Sequence, residues 1–302
     1  MLETIGLSAL NLALVVALAP LAEGIVRRLR AIVHSRQGPP LTQPYLDLAK
    51  LLIKEDLNPG SGLIWRLAPA VCLGAVLTAA LLAPIGPHPP LGFAGDLFAF
   101  IYLAALGGVA IILAAFASGS SYACVGASRE MMMMLSVEPV IAIALVTAAV
   151  KSGSMRFEEM ATSYAAAGPS VSMVVAGVAF LLALQAHVGK LPFDIAEAEQ
   201  EIMEGPFVER SGPGLALFKL ASYSRVIVFG AVLTQIFVPW PRVGIWPVDL
   251  AINLLLVGIV VALVGLVSAV NPRLRIDQSM SFFSRIVVFV AIAGLVFASI
   301  GA

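Results

Sequence analysis

Eight stretches of this sequence are apolar for about the 20 residues that a helix needs to cross a bilayer core roughly 30 Å thick. They run over approximately 5–26, 67–83, 97–117, 131–150, 171–188, 215–238, 247–270 and 283–300. The chain is 60% hydrophobic and only 12% charged, which excludes an ordinary soluble enzyme. Long unbroken apolar runs lack the alternation of a membrane β-barrel, so the expected fold is all-α, a polytopic bundle of about eight transmembrane helices in one membrane domain spanning 1–302. Pro20, Pro69, Gly74 and Pro139 inside the runs suit helices packed against one another in lipid. The first span is read as structure and not as a cleaved leader, because no basic segment precedes it.

Charge orients the bundle. Arg27, Arg28, Arg30, Arg36, Lys50, Lys54, Arg66, Arg129, Lys190, Arg210, Arg273 and Arg275 fall in loops of one parity, against Lys151, Arg156 and Arg242 in the other. The positive-inside rule then puts the loops 27–66 and 189–214 in the cytoplasm of a cell inner membrane, with both termini outside. Lys and Arg number 18, as do Asp and Glu, so no basic excess exists to hold nucleic acid. Cys72 and Cys124 stand far apart, and His34, His88 and His187 form no cluster, so no metal site is expected in this chain. The run Met131–Met134 has no Cys or His beside it and reads as packing. His187 and Gln185, closing the fifth span, read as packed or interfacial side chains.

Two cytoplasmic segments stand out. From Leu41 to Leu52, apolar residues at helical spacing oppose Asp47, Lys50 and Lys54, which predicts an amphipathic helix on the membrane surface. The segment 189–214 concentrates Asp194, Glu197, Glu199, Glu201, Glu204 and Glu209, a third of the chain's acids. Pro192 and Asp194 read as a helix start, with Asp194 and Glu197 at capping-box spacing, and Gly205-Pro206 as its stop. On such a helix Asp194, Glu197, Glu201 and Glu204 would share one face and raise one another's proton affinity. The same residues also suit a solvated turn that pairs with the basic first loop or docks another subunit.

Glu138 lies inside the fourth span, where an ionisable side chain is costly and by default functional. Pro139 after it removes a backbone donor and loosens the helix. Lys219 and Arg225 on the sixth span are its expected counter-charges, and Glu23 either pairs with Arg27 one turn on or joins the same path. There is no glycine-rich phosphate loop and no nucleophilic triad, so no bond-making chemistry is visible.

RQGPPLTQPYLDLAKLL from Arg36, Ser128-Arg129-Glu130 with Glu138-Pro139, and KLPFDIAEAEQEIMEGP from Lys190 to Pro206 resemble the respiratory complex I subunit 1 family over nearly the whole chain. The wording is closer to the membrane-anchor subunit of energy-converting nickel-iron hydrogenases, of the formate hydrogenlyase and CO-induced type. The resemblance implies a non-catalytic subunit of an oxidoreductase complex, coupling electron transfer to proton or sodium movement. Its partners would be hydrogenase large and small subunits, an iron-sulfur subunit and antiporter-like membrane subunits. The iron-sulfur clusters and the nickel-iron site would then sit in those partners, with no cofactor in this chain. By the same resemblance Arg36, Asp47, Lys50, Arg129, Glu209 and Arg210 belong to the surface that docks the redox arm. Glu138, Asp194, Glu197, Glu199, Glu201 and Glu204, with Glu23, Lys219 and Arg225, belong to a polar route into the membrane. Where relatives commonly carry Tyr after Glu209, this chain has Arg210. A quinone-binding subunit of complex I is the alternative within the family. A stand-alone transporter or a pure scaffold is the alternative outside it.

Overall fold

The computed structural model describes residues 2–57, 62–83, 89–92 and 96–301, without the side chains of 2–4 and 199. Among these residues the secondary structure is helical. Seven helices are long and apolar enough to cross a membrane: α1 (Leu2–Val33), α3 (Leu63–Leu82), α4 (Asp96–Ala117), α5 (Ser121–Ser152), α9 (Gly212–Phe237), α10 (Trp246–Val270) and a last one running from Ile276 to Ile300. An eighth, α7 (Val171–His187), is apolar but shorter, about 25 Å at 1.5 Å per residue. These eight are the spans expected from the sequence. The proline-rich connector at 84–95, with His88, lies in large part outside the described residues.

The last span is interrupted at Phe283–Val287 by a π-helical turn, which separates α11 (Ile276–Phe282) from α12 (Val288–Ile300). A π-turn shifts the side chains after it around the axis. Here it sets Phe283 and Val287 in the core, with the Phe283 ring 5.0 Å from that of Phe193. The axis of the bundle is α9, whose residues from Ser224 to Phe237 are all buried against its neighbours α1, α3, α7 and α10. A helix apolar all round is buried on every side, and α9 reads that way apart from Lys219 and Arg225.

Three elements depart from the sequence reading. The fourth span begins at Ser121 instead of 131, since the residues before Met131 are helix-competent though not apolar, and this carries Arg129 and Glu130 into the helix. A short helix, α6 (Phe157–Ala167), occupies a connector, burying Phe157, Met160, Ala161 and Tyr164 at i, i+3, i+4, i+7 spacing. The acidic segment is not one helix. Only α8 (Glu199–Ile202) is helical, followed by a 3₁₀ turn at Gly205–Phe207. Phe193, Ile195, Ala196 and Ala198 are all buried, and such close succession cannot be met by the single stripe of a short helix. The capping box and the shared carboxylate face are therefore absent. The amphipathic helix is present as α2 (Gln43–Ile53), packed on α1 and α9.

Gly205 (φ +51°) turns the chain so tightly that an added Cβ would lie 2.1 Å from the Ala196 carbonyl oxygen. The following Pro206 is seated on Gly126 of α5, whose own Cβ would meet Pro206 N at 2.7 Å and Gly205 C at 2.8 Å. Those are backbone contacts that cannot swing aside, so Gly126→Ala is expected to destabilise the fold by about 1–3 kcal/mol. Gly74→Ala, with nothing within 4 Å of the new methyl, is expected to leave stability unchanged or raise it. Thermal unfolding in detergent distinguishes the two; equal melting temperatures would contradict the packing described.

Candidate functional site

Charged side chains from five segments converge at the end of the bundle that carries α2 and the acidic segment. Arg27 of α1 is the hub: its Nε donates to Glu23 Oε1 at 3.0 Å, Nη1 to Asp47 Oδ2 at 2.9 Å and Nη2 to the Tyr223 hydroxyl at 3.0 Å. Lys190 Nζ donates to the other Glu23 oxygen at 2.7 Å. The Glu23 side chain is only 8% exposed, and two cations on its two oxygens make such burial of a carboxylate tolerable. The i,i+4 pairing of Glu23 with Arg27 is thus present, together with a second partner that spacing does not show.

Each acid of the 189–211 segment with a described ion pair has its own cation. Asp194 accepts from Arg273 at 3.0 Å, Glu197 from Lys219 at 3.5 Å and Glu201 from Arg129 at 2.6 Å. Glu204 occupies a left-handed turn position (φ +68°), and the side chain of Glu199 lies outside the described residues. Burial, then the charge of Glu197, pushes the Asp194 carboxyl up despite Arg273. The hydrogen bond from Arg129 holds exposed Glu201 down.

Beside this network a cavity of about 450 Å³ is walled by Glu23, Arg27, Lys190, Asp194, Glu197, Lys219 and Tyr223, among others. A second cavity of about 30 Å³ shares Asp194, Glu197 and Ser222 with it and adds Glu130, His187 and Arg225. A third of about 20 Å³ shares Glu130, His187 and Arg225 with the second and reaches Met134 and Val137. Each small cavity has room for a water molecule, which needs roughly 10–15 Å³. Common walls thus carry a polar passage from the charged end to the flank of α5. Its inner station is Glu130, within the field of Arg225, facing a cavity that His187 also lines. His187 packs on Phe229, ring centroids 4.3 Å apart, with Nε2 buried and without a hydrogen bond.

Glu138 stands eight residues beyond Glu130 on α5, about 12 Å further along. Its Oε1 is buried and makes no hydrogen bond among the described residues. The third cavity stops at its neighbour Val137. Lys219 and Arg225 are not its counter-charges: Lys219 is taken by Glu197, and Arg225 Nη2 reaches Cys72 Sγ at 3.6 Å. The reason is reach, since both cations point from α9 to the charged end, short of the depth of Glu138.

Of the docking candidates, Arg36, Lys50 and Glu209 are exposed, while Asp47 and Arg129 already hold partners within the chain. Arg210 is not a surface residue. It is 6% exposed, its guanidinium lies 3.5 Å over the Trp65 ring, and it donates to the Trp65 carbonyl. Burial pulls its pKa down to about 10. Glu130, Lys190 and Tyr223 were not singled out as site residues from the sequence. Glu130 was readable as an acid just before an apolar run, but its inclusion in the helix was not. Among the described residues no three His, Cys, Asp or Glu side chains gather as a metal site would need.

Residues 5–299 match the family described as NADH dehydrogenase. The chain belongs to that family. It is similar to hydrogenase-4 component C of Escherichia coli, 38% identical over 82% of this chain and 78% of the relative. It is also similar to formate hydrogenlyase subunit 4 of the same organism, 36% identical over 88% and 86%. A membrane component of the NADH-quinone oxidoreductase of Geobacter metallireducens is 33% identical over 73% and 74%. A chain of the membrane-bound sulfane sulfur reductase, an archaeal respiratory membrane complex, superposes with a TM-score of 0.90 at 27% identity, covering 98% of this chain and 99% of that one. The chain is therefore a membrane subunit of the complex I-like kind, related to hydrogenase components.

Because Asp194 is raised and Glu201 lowered, acidification should protonate Asp194 first and Glu201 last. Infrared titration is expected to show a carboxylic C=O band appearing above the ordinary carboxylate range. That band should vanish in Asp194→Asn and persist in Glu201→Gln; its persistence in Asp194→Asn would contradict the assignment.

Proposed function

We propose that this chain is the junction subunit of an energy-converting hydrogenase-type complex, coupling electron transfer in a docked redox arm to proton movement in the membrane. The observation that carries the reading is the succession of cavities with shared walls that links Asp194 and Glu197 to Glu130. The excess of basic residues in loops at the acidic-segment end supports a cytoplasmic placement of that end. There Arg36, Lys50 and Glu209 would meet a partner carrying iron-sulfur clusters and a nickel-iron site.

The mechanism needs no bond chemistry here. A change of charge or loop geometry near the large cavity alters which acid holds a proton, and the proton then passes by way of Glu197, Glu130 and hydrating water toward Glu138. A three-unit change in pKa corresponds to about 4 kcal/mol, enough to load or empty one carboxyl per turnover. The barrier between Glu130 and Glu138 is the longest step of the path and the one that protein motion or a partner's side chain has to bridge.

A quinone reading is supported by the similarity to an NADH-quinone oxidoreductase component. The large cavity argues against it, because its walls carry Glu23, Arg27, Lys190, Asp194, Glu197 and Lys219, a poor lining for an isoprenoid headgroup. Mild-detergent isolation is expected to bring down nickel-containing and antiporter-like subunits; NADH-oxidising subunits and extractable quinone would overturn the assignment. Within the complex, Glu130→Gln and Glu138→Gln should each uncouple ion movement from electron flow while assembly persists. Intact coupling in both would leave a docking scaffold.

A further inference from the structure

The opposite end of the bundle holds a separate cavity of about 320 Å³ between α9, α10 and α6. Its floor is polar although it lies within the helices: Thr234 Oγ1 and Asn253 Oδ1 are 2.9 Å apart, and both residues are 3% exposed. At its lip Arg242 Nη2 donates to Gln235 Oε1 at 3.2 Å, and Asp249 pins the loop by accepting from the backbone of Val243 and Gly244 at 2.8 and 3.1 Å. The wall is held in place by α6, where Trp240 Nε1 donates to the Ala165 carbonyl at 3.2 Å and the Trp240 ring packs on Tyr164. The coupling path uses none of these groups. Phe100, Phe180, Phe229 and Phe237 stand between the two ends in one aromatic stack.

One cation and one carboxylate face this cavity. Trp246 stands at its mouth, 43% exposed, the type of residue that sits at the headgroup level of a bilayer. Down α10 from the mouth, Val248, Leu255, Ile259 and Leu263 form one exposed apolar stripe, with Leu255 64% exposed. A pocket with paired charges at the lip and a greasy track leading away along a membrane helix matches an amphiphile with a zwitterionic head. We propose that this cavity binds one phospholipid of the leaflet on that side, its phosphate on Arg242, its ammonium toward Asp249 and an acyl chain along the α10 stripe. Free inorganic phosphate shares the anion chemistry but has no use for the stripe or the carboxylate. Bound there, the lipid would tie α6 and the loop at 238–245 to the bilayer and stiffen the end of α9.

The test uses the full chain with the subunits that accompany it, washed in detergent and studied by native mass spectrometry with added lipid. The wild type should retain phosphatidylethanolamine over phosphatidylglycerol and resist displacement by millimolar inorganic phosphate. Arg242→Gln should retain it about tenfold less, with Arg242→Lys intermediate, because a point charge replaces the guanidinium fork. Leu256→Trp fills the apolar wall without touching the charges and should release the lipid as well. Undiminished lipid on folded Arg242→Gln and Leu256→Trp would overturn the proposal. So would a wild type that binds inorganic phosphate in the absence of lipid and loses lipid to it.

Discussion

Glu23 is a carboxylate buried in a membrane helix, and the arrangement of the charged end follows from what it takes to keep it there. Two cations are required, and they come from different places: Arg27 one turn along α1, and Lys190 from the far side of the bundle. Arg27 then spends its remaining donors on Asp47 of α2 and Tyr223 of α9. One buried acid thereby locks the surface helix, the first span, the central span and the start of the acidic segment into a single frame. Removing one partner of such a network strands the others, which costs more than any single surface pair.

The frame leaves a polar chamber beside lipid, and its charges alternate. Asp194, Glu197 and Glu201 each face a cation from a different element, namely the 271–275 loop, α9 and α5. A cluster of like charges would hold protons by mutual repulsion. An alternating one can pass them by exchanging partners, because each carboxylate that loses its cation gains proton affinity. Polar character thins along α5, from Glu130 with Arg225 and His187 nearby to Glu138 with an unsatisfied oxygen. Beyond that depth the centre of the bundle is aromatic and apolar around Phe229. The polar passage thus enters from one end and does not cross the chain, which fits a subunit that hands ions sideways to neighbours.

The spans were legible because lipid demands about 20 apolar residues in a row, and Leu63–Leu82 or Trp246–Val270 answers that demand in composition alone. The acidic segment was legible as chemistry and not as shape. Its carboxylates announced themselves, whereas the burial of Phe193, Ile195, Ala196 and Ala198 that forbids a helix depends on α5 and α11 being in place. Arg210 misled for a similar reason: a loop arginine reads as exposed until the Trp65 face that receives it is known. Glu130 was hidden by the boundary of its own span, which polar but helix-competent residues extend by ten positions. The helix at Phe157–Ala167 was written in its spacing, too short to signal a span.

The central claim is that the acids beside and within the membrane are joined by water and not insulated from one another. High-resolution density of the intact complex in lipid, good enough to place ordered water, tests it most directly. The account predicts water in the cavities shared by Glu197, Glu130 and His187, continuing past Val137 to the unsatisfied Glu138 oxygen in at least one redox state. A dry apolar gap around Glu130 in every state, with Glu138 sealed among hydrocarbon, would contradict it.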